Sequence, residues 1–273
     1  MGTLYLVATP IGNLEDVTHR ALRVLREVRL IAAEDTRQTR KLLSRYVLDT
    51  PLISYHEHNK RARHGVILAA LAQGDVALVS DAGIPGLSDP GDDLVQAAVA
   101  AGHRVSPIPG PSAPAAALAV SGLPGDRFSF LGYLPRKVAD RRQLLTQVAG
   151  QRETLVAFEV PHRLRASLRD LVQTLGGSRT AVVCRELTKL HEEIARGSLA
   201  ELSERYADEE PRGEITLVIA GAPEAAAWEA GRVRQALHER MAAGDSRSQA
   251  ARGVAELSGW SRREVYHMAM EMT

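Results

Sequence analysis

Short apolar runs alternate with amphipathic stretches through the first hundred residues. Leu4–Ala8 has the length of a buried strand and is closed by Pro10-Ile11-Gly12-Asn13. In Thr18–Val28, after the acids Glu15 and Asp16, Ala21, Leu22, Leu25 and Val28 recur at helical spacing. Leu30–Ala33 reads as a second strand, Thr36–Leu43 and Val66–Leu71 as helices, and Val76–Val79 as a strand entering a Gly/Pro-rich loop. Leu94–Ala101 is a helix ended by Gly102, Val105–Ile108 a strand, and Ser112–Val120 a helix behind Pro109-Gly110-Pro111. This β-loop-α rhythm predicts an open, largely parallel α/β sheet.

A second unit begins near Phe128. Its strand candidates are Phe128–Gly132, Thr154–Phe158, Thr180–Cys184 and Ile215–Ile219, with helices over Asp140–Ala149, Leu164–Leu175 and Leu199–Tyr206. Hairpins fit here as well as crossovers, so this sheet is expected to be mixed. From Ala225 to Thr273 the pattern holds no strand. Trp228–Met241 places Val233, Leu237 and Met241 on one face. Ser246 caps a helix over Gln249–Leu257, Gly259-Trp260 turns the chain, and Ser261 with Glu264 forms a capping box for Arg262–Met270. The expected organisation is an N-terminal α/β domain over 1–113, a C-terminal α/β domain over 114–224, and a helix-turn-helix-like module over 225–273.

A chain of 273 residues suits one large domain, or two with an appendage. With 45% apolar and 25% charged residues it has a soluble composition, and its apolar runs fall far short of the roughly 20 residues of a membrane span. No charged leader precedes the first apolar run, so no secretory signal is read and the expected compartment is the cytoplasm. The single Cys184 excludes a disulfide framework or a multi-cysteine zinc site and reads as inert core. Basic and acidic residues nearly balance, 34 against 33, which excludes a polycation but not local basic patches. Aromatics at 4% are too few for base stacking to be the main binding mode.

The candidate chemistry sits at strand ends. Ser80-Asp81-Ala82-Gly83-Ile84-Pro85-Gly86-Leu87-Ser88-Asp89-Pro90-Gly91 follows a predicted buried strand and precedes a helix, where open α/β sheets bind ligands. Its glycines admit close backbone approach, and Asp81 and Asp89 can accept from hydroxyls or an ammonium. An ordinary turn capped by Ser88 or Asp89 fits the same residues. Thr9–Leu14 and Ile108–Ala113 leave strand ends in the same way, and Ser112 also fits a plain helix cap. None of the three is a Walker loop or a dinucleotide fingerprint, and their prolines remove donors a phosphate cradle would use. A nucleoside therefore fits better than a polyphosphate.

Glu34-Asp35-Thr36-Arg37 pairs carboxylates with an arginine, suited to acid/base work or to an exposed helix start. His56-Glu57-His58-Asn59 offers a His-x-His pair with no third ligand at a compelling spacing, so no metal is expected and a polar substrate loop fits better. Arg136, Lys137, Arg141 and Arg142 form a basic run, either a solvated helix face or the edge of an anionic substrate site. Glu159–Arg163 and Arg185–Lys189 each end a strand and could close the far side of a cleft, while His191 with Glu192 and Glu193 reads as surface.

Leu4–Asp16 with its Thr-Pro-Ile-Gly-Asn core, Ala33-Glu34-Asp35-Thr36-Arg37, Ser80–Pro85 and Pro109-Gly110-Pro111-Ser112-Ala113 together resemble the tetrapyrrole methylase superfamily. Phe130–Lys137 and Arg185–Lys189 extend the likeness over roughly 1–224. The Thr-Pro-Ile-Gly-Asn and Glu-Asp-Thr-Arg forms are similar to those of the RNA-modifying branch, and the Gly-x-Gly-x-Gly-Asp first loop of tetrapyrrole enzymes is missing. The resemblance implies two α/β domains with S-adenosyl-L-methionine in the cleft between them, a homodimer, and 2'-O-methylation of a cytidine ribose in 16S ribosomal RNA or the small ribosomal subunit. It assigns Ile11, Asp81, Gly83, Ile84, Ser112 and Ala113 to the cofactor, with Phe158, Leu187 and Thr216 as the adenosine-facing wall.

Methyl transfer from a sulfonium demands no metal, but a ribose hydroxyl gains from a base. Asp35, Glu34, Glu57, His56, Glu159 and Glu186 are candidates; Asp35 is taken as the base, with Arg37 orienting it or gripping phosphate and Glu34 beside it. Asn13, His56, Asn59, Arg136 and Lys137 are taken as substrate-binding. The alternative is a small-molecule methyltransferase of the corrinoid or sirohaem pathway; a non-catalytic RNA-binding protein would not keep all three pocket loops. Residues 231–273 hold seven arginines and five acids, so the tail serves equally as an RNA grip or as a packing module.

Overall fold

The computed structural model describes residues 2–87, 91–208, 211–223 and 227–272. The chain divides into two compact units, Met1–Ala222 and Pro223–Thr273.

The first unit contains two five-stranded sheets. The first is built from β1 (Thr3–Val7), β2 (Leu30–Ala33), β3 (Leu52–Ser54), β4 (Val76–Val79) and β5 (Arg104–Ile108), in the order β3-β2-β4-β1-β5, all parallel. Its helices are α1 (His19–Glu27), α2 (Thr36–Arg45), α3 (Lys60–Gln73) and α4 (Asp92–Ala100). Thr18 starts α1 by accepting from the Ala21 amide, so Glu15 and Asp16 form a separate short turn capped by Asn13. The acidic helix start expected there is not part of the helix. α3 begins six residues earlier than its apolar pattern, because its first turn, Lys60-Arg61-Ala62-Arg63, carries no buried side chain.

Sheet polarity fixes where a ligand can enter. α1 and α2 pack Ala21, Val24, Leu25, Leu42 and Leu43 on one face of the sheet. α3 and α4 pack Ile67, Leu71, Leu94 and Ala98 on the other. The chain leaving β4 therefore goes to the face opposite to those taken by both neighbours, β1 and β2. Such a reversal opens a crevice at the strand carboxyl ends, and the loop after β4 lies in it.

The second sheet takes β6 (Phe128–Tyr133), β7 (Thr154–Glu159), β8 (Thr180–Arg185), β9 (Glu193–Ser198) and β10 (Ile215–Ile219) in the order β6-β7-β10-β8-β9. Only β6 and β7 run parallel, so the sheet is mixed. α6 (Val138–Val148), α7 (Pro161–Leu175) and α8 (Leu199–Arg205) cover one face, burying Leu155, Ala157, Val183 and Leu217. α5 (Ala113–Ser121) covers the other with Ala117 against Val156, Val182 and Val218. This period-two alternation turns Phe158 and Thr216, partners across β7 and β10, away from α6–α8 and onto the face that α5 covers.

Arg141 departs from the basic face expected of it. It is 2% exposed, and its Nε donates to Asp170 on α7 at 2.8 Å while Nη1 donates to the Pro135 carbonyl at 3.1 Å. Arg142 beside it reaches the other oxygen of Asp170 at 2.7 Å.

The second unit is three helices, α9 (Ala230–Ala242), α10 (Arg247–Ser258) and α11 (Arg262–Glu271), around Val233, Leu237, Val254, Val265 and Met268. Capping boxes Ser246/Gln249 and Ser261/Glu264 start α10 and α11. The Trp260 indole donates to the Trp228 carbonyl at 2.6 Å, which pins the segment ahead of α9.

Candidate active site at the strand ends

The parallel register Ala33↔Val79 sets Glu34 and Asp35 beside Ser80 and Asp81. The two loops then hold each other through carboxylates: the Asp35 amide donates to Asp81 Oδ1 at 2.9 Å, and the Asp81 amide donates to Glu34 Oε2 at 3.2 Å. On the other side Thr9 and Gly83 exchange two backbone hydrogen bonds, 2.8 and 3.0 Å. Gly83 has φ +80°, a left-handed conformation that a side chain would strain, and it lets the loop turn back over Ile11.

These loops open onto a cavity of about 300 Å³. Its sides are Ile11, Glu34, the Asp81–Ile84 backbone and Ser112–Pro114 from the first half, and Tyr133, Phe158 and Gly213–Thr216 from the second. Phe158 meets Phe130 edge-on at 5.1 Å and Tyr133 at 5.2 Å, so an aromatic wall faces the loops. The acidic side chains of its lining are Glu34, Asp81, Glu159 and Glu214; no lysine, arginine or histidine lines it among the described residues. Glu159 is held by Arg163 at 2.7 Å and by the Ser167 hydroxyl, and Glu214 by Lys189 at 3.1 Å. Glu34 and Asp81 make no ion pair among the described residues. Burial pushes both carboxyl groups above the usual range; the charges of Asp81 and Asp35 add to the rise at Glu34, and those of Asp35 and Glu214 to the rise at Asp81.

Of the residues expected to hold the cofactor, Ile11, Asp81, Gly83, Ile84, Ser112, Ala113, Phe158 and Thr216 line this cavity. Ser112 occupies the cap position of α5 but makes no side-chain cap bond, so its hydroxyl is left for a ligand. Leu187 is set back, 8% exposed, packed with Ile11 and Cys184. Of the three residues expected to be catalytic, only Glu34 lines it. Asp35 caps α2 and accepts three hydrogen bonds from the Arg37 side chain, which hold its carboxyl down at about 2, and the Arg37 side chain is 85% exposed.

The five expected substrate residues lie outside the cavity. Asn13 caps the short turn; Asn59 donates to Ser54 and accepts from the His56 amide, a loop-bracing role. His56 Nδ1 is buried with no hydrogen-bond partner. Arg136 lines a separate hollow with His162 and Arg163, and Lys137 is the residue preceding α6. Sequence reasoning had no place for Tyr133, Pro114 or Glu214 in the site, and held Leu87 only as a member of the candidate loop after β4. Gly132, at φ +65° beside a register shift in β6, is the signal for Tyr133. Ser88 and Asp89 lie outside the described residues.

The profile described as Tetrapyrrole (Corrin/Porphyrin) Methylases matches residues 3–203. This chain belongs to that family. Among curated tetrapyrrole methylase relatives, one from Synechocystis sp. named "Ribosomal RNA small subunit methyltransferase I" is 50% identical over 275 residues, covering 100% of this chain and 99% of the relative. One of the same name from Thermotoga maritima is 48% identical over 222 residues, 81% of this chain and 99% of its own length, a span equal to that of the first compact unit. In fold, this methylase is similar to a uroporphyrin-III C-methyltransferase from Thermus thermophilus complexed with S-adenyl homocysteine, with TM-score 0.57 and 20% identity over 80% of this chain and 97% of that one.

Proposed function

We propose that the chain is an S-adenosylmethionine-dependent methyltransferase that transfers a methyl group to the 2'-hydroxyl of a cytidine ribose in 16S ribosomal RNA, in the cytoplasm and as a homodimer. The observation that carries the donor half of this reading is the charge of the cavity wall. Acids and apolar groups line it, and no cation does. That wall suits a ligand bearing a sulfonium and an ammonium, and it repels phosphate. Relatives named for small-subunit ribosomal RNA, aligned over the whole chain, supply the acceptor half.

When bound, S-adenosylmethionine supplies a methyl group on a positively charged sulfur, already activated for in-line displacement. The chain's own residues do the rest by placement. Phe158 and Tyr133 give an apolar face for a purine ring, and the Ser112 hydroxyl and the Asp81–Ile84 backbone give polar contacts beside it. Glu34 and Asp81 stand where a carboxylate draws the cation in and takes the acceptor's proton. Within the set Glu34, Asp35 and Arg37, the proton-accepting role falls to Glu34. Asp35 is tied to Arg37 and too acidic to hold a proton, whereas burial makes Glu34 the stronger base. Asp35 and Arg37 then act as the frame that fixes Asp81 through the Asp35 amide.

The test is transfer of tritiated methyl from S-adenosylmethionine to small subunits lacking the modification, with Glu34→Gln alongside. Wild type labels a cytidine ribose. The variant loses about 100-fold or more in rate, a larger loss than any it shows in cofactor affinity. Label entering a tetrapyrrole acceptor and not RNA overturns the reading.

A further inference from the structure

A second cavity, about 290 Å³, lies across the Asp81–Ala82 loop from the first. The two share Ile11, Asp81, Ala82 and Glu214 as a common wall. The new walls come from Gly12 and Leu14 of the first loop, from α2, and from Lys189.

The charged residues that this cavity adds to the shared Asp81 and Glu214 are Lys41 and Lys189. α2 carries Arg37, Arg40, Lys41 and Arg45 and no acid, and all four cations are exposed. Their spacing of three, four and eight residues sets them along one side of the helix. Lys41 stands at the cavity rim, where its Nζ donates to Gln38 Oε1 at 2.8 Å and makes no ion pair among the described residues. Lys189, by contrast, is neutralised by Glu186 at 2.7 Å and Glu214 at 3.1 Å. α1, packed on the same face of the sheet, adds Arg20, Arg23 and Arg26 against Glu27. Lys41, Leu14, Leu42 and Asp81 all line this cavity, so a ligand seated here has an ammonium, apolar surface and a carboxylate within it.

We infer that this second cavity is the acceptor site and holds one nucleotide of an RNA strand. Its ribose hydroxyl lies toward Asp81, its phosphate at Lys41, and the neighbouring phosphates follow the exposed cations of α2. This rests on the RNA reading above and gives it a place. The row of cations continues outside the cavity, which a polyanionic strand uses and an isolated small molecule does not. The hydroxyl then meets the donor's methyl where the two cavities join at Asp81: the ribose oxygen bonds to the methyl as the sulfur leaves, and the proton passes to the carboxylates there, Asp81 and the Glu34 bonded to its amide.

The experiment uses the full chain with Lys41→Ala, Lys41→Arg and Gln38→Trp. It measures single-turnover methylation of small subunits and of naked 16S RNA, with cofactor affinity by calorimetry. Lys41→Ala is expected to raise the RNA concentration for half-maximal rate about five- to tenfold and to reduce the slope against salt by about one, with cofactor affinity unchanged. Lys41→Arg restores both. Gln38→Trp, which fills the cavity, stops turnover and leaves cofactor binding intact. Wild-type half-saturation and salt slope in Lys41→Ala, together with normal turnover in Gln38→Trp, overturn the assignment while RNA methylation by wild type still stands. A Lys41→Ala defect seen with intact subunits but not with naked RNA assigns the row to a ribosomal protein and also overturns it. Wild type that methylates no RNA removes both readings.

Discussion

Asp170→Ala probes the buried polar network beneath the aromatic wall. Asp170 is 3% exposed and is the carboxylate that neutralises Arg141, itself 2% exposed. Removing it leaves a guanidinium buried among carbonyls, a loss of about 3–5 kcal/mol. The half-exposed Arg142 contact adds at most about 1 kcal/mol. Against a total stability of about 5–15 kcal/mol this is a large fraction. Arg141→Met with Asp170→Leu removes both charges and is expected to fall within about 1 kcal/mol of wild type or above it.

Urea unfolding followed by far-UV circular dichroism measures the change. Both tryptophans, Trp228 and Trp260, sit in the C-terminal unit, so indole fluorescence reports on that unit and serves as an internal reference. Because Arg141 and Arg163 also hold the Pro135 and Leu134 carbonyls, just after Tyr133, Asp170→Ala is expected to weaken cofactor binding as well. A destabilisation below about 1 kcal/mol, or a double variant as damaged as Asp170→Ala, would show that the pair is not the constraint argued here.

Three further outcomes follow from the same geometry. Gly12→Ala puts a Cβ 2.4 Å from Lys189 Cγ and 2.8 Å from the Leu187 carbonyl oxygen, so it should cost about 1–3 kcal/mol by chemical denaturation and loosen cofactor binding; wild-type values in both refute the close packing. The Asp35 carboxyl is held at about 2 in the folded chain by the Arg37 hydrogen bonds, against an ordinary 3.8. Its stabilising contribution is therefore complete above pH about 3.8 and lost as pH falls through about 2, so the stability gap between wild type and Asp35→Asn should close over that window and stay constant between pH 5 and 8. Deleting residues 228–273 should leave cofactor binding intact and lower RNA affinity with a flatter salt dependence; a truncated protein that methylates RNA normally but turns monomeric assigns the module to packing.

The elements legible in the sequence are those whose burial is continuous. β2 and β4 are covered on both faces, so their apolar runs mark their ends residue for residue. β9, Glu193-Ile194-Ala195-Arg196-Gly197-Ser198, escapes because it is an edge strand, paired only to β8. β3 escapes because it is only three residues long. The loops of the site are legible because glycine and proline mark strand ends. The division of labour among their carboxylates is not. Whether Glu34 or Asp35 faces the ligand depends on the cross-strand pairing of β2 with β4, and local charge at positions 34–37 carries no trace of it. Arg141 fails for the same reason, since its partner lies 29 residues away on another helix.

The Asp81–Ala82 loop is the common wall of two cavities whose other walls carry opposite charge. Backbone pairing of Gly83 with Thr9 holds that wall in place, and the Asp35 amide holds the Asp81 carboxylate upon it. A uroporphyrin methyltransferase shares this fold at 20% identity, and a shared fold does not by itself choose the acceptor. On the acceptor-site inference, the choice lies in what stands on the far side of the wall. In this chain that is an acid-free helix carrying four cations, one of them at the cavity rim and without a carboxylate partner among the described residues. Exchanging Arg40, Lys41 and Arg45 for neutral residues should therefore change which acceptors are used while the proposed donor cavity, whose lining contains none of them, keeps its affinity.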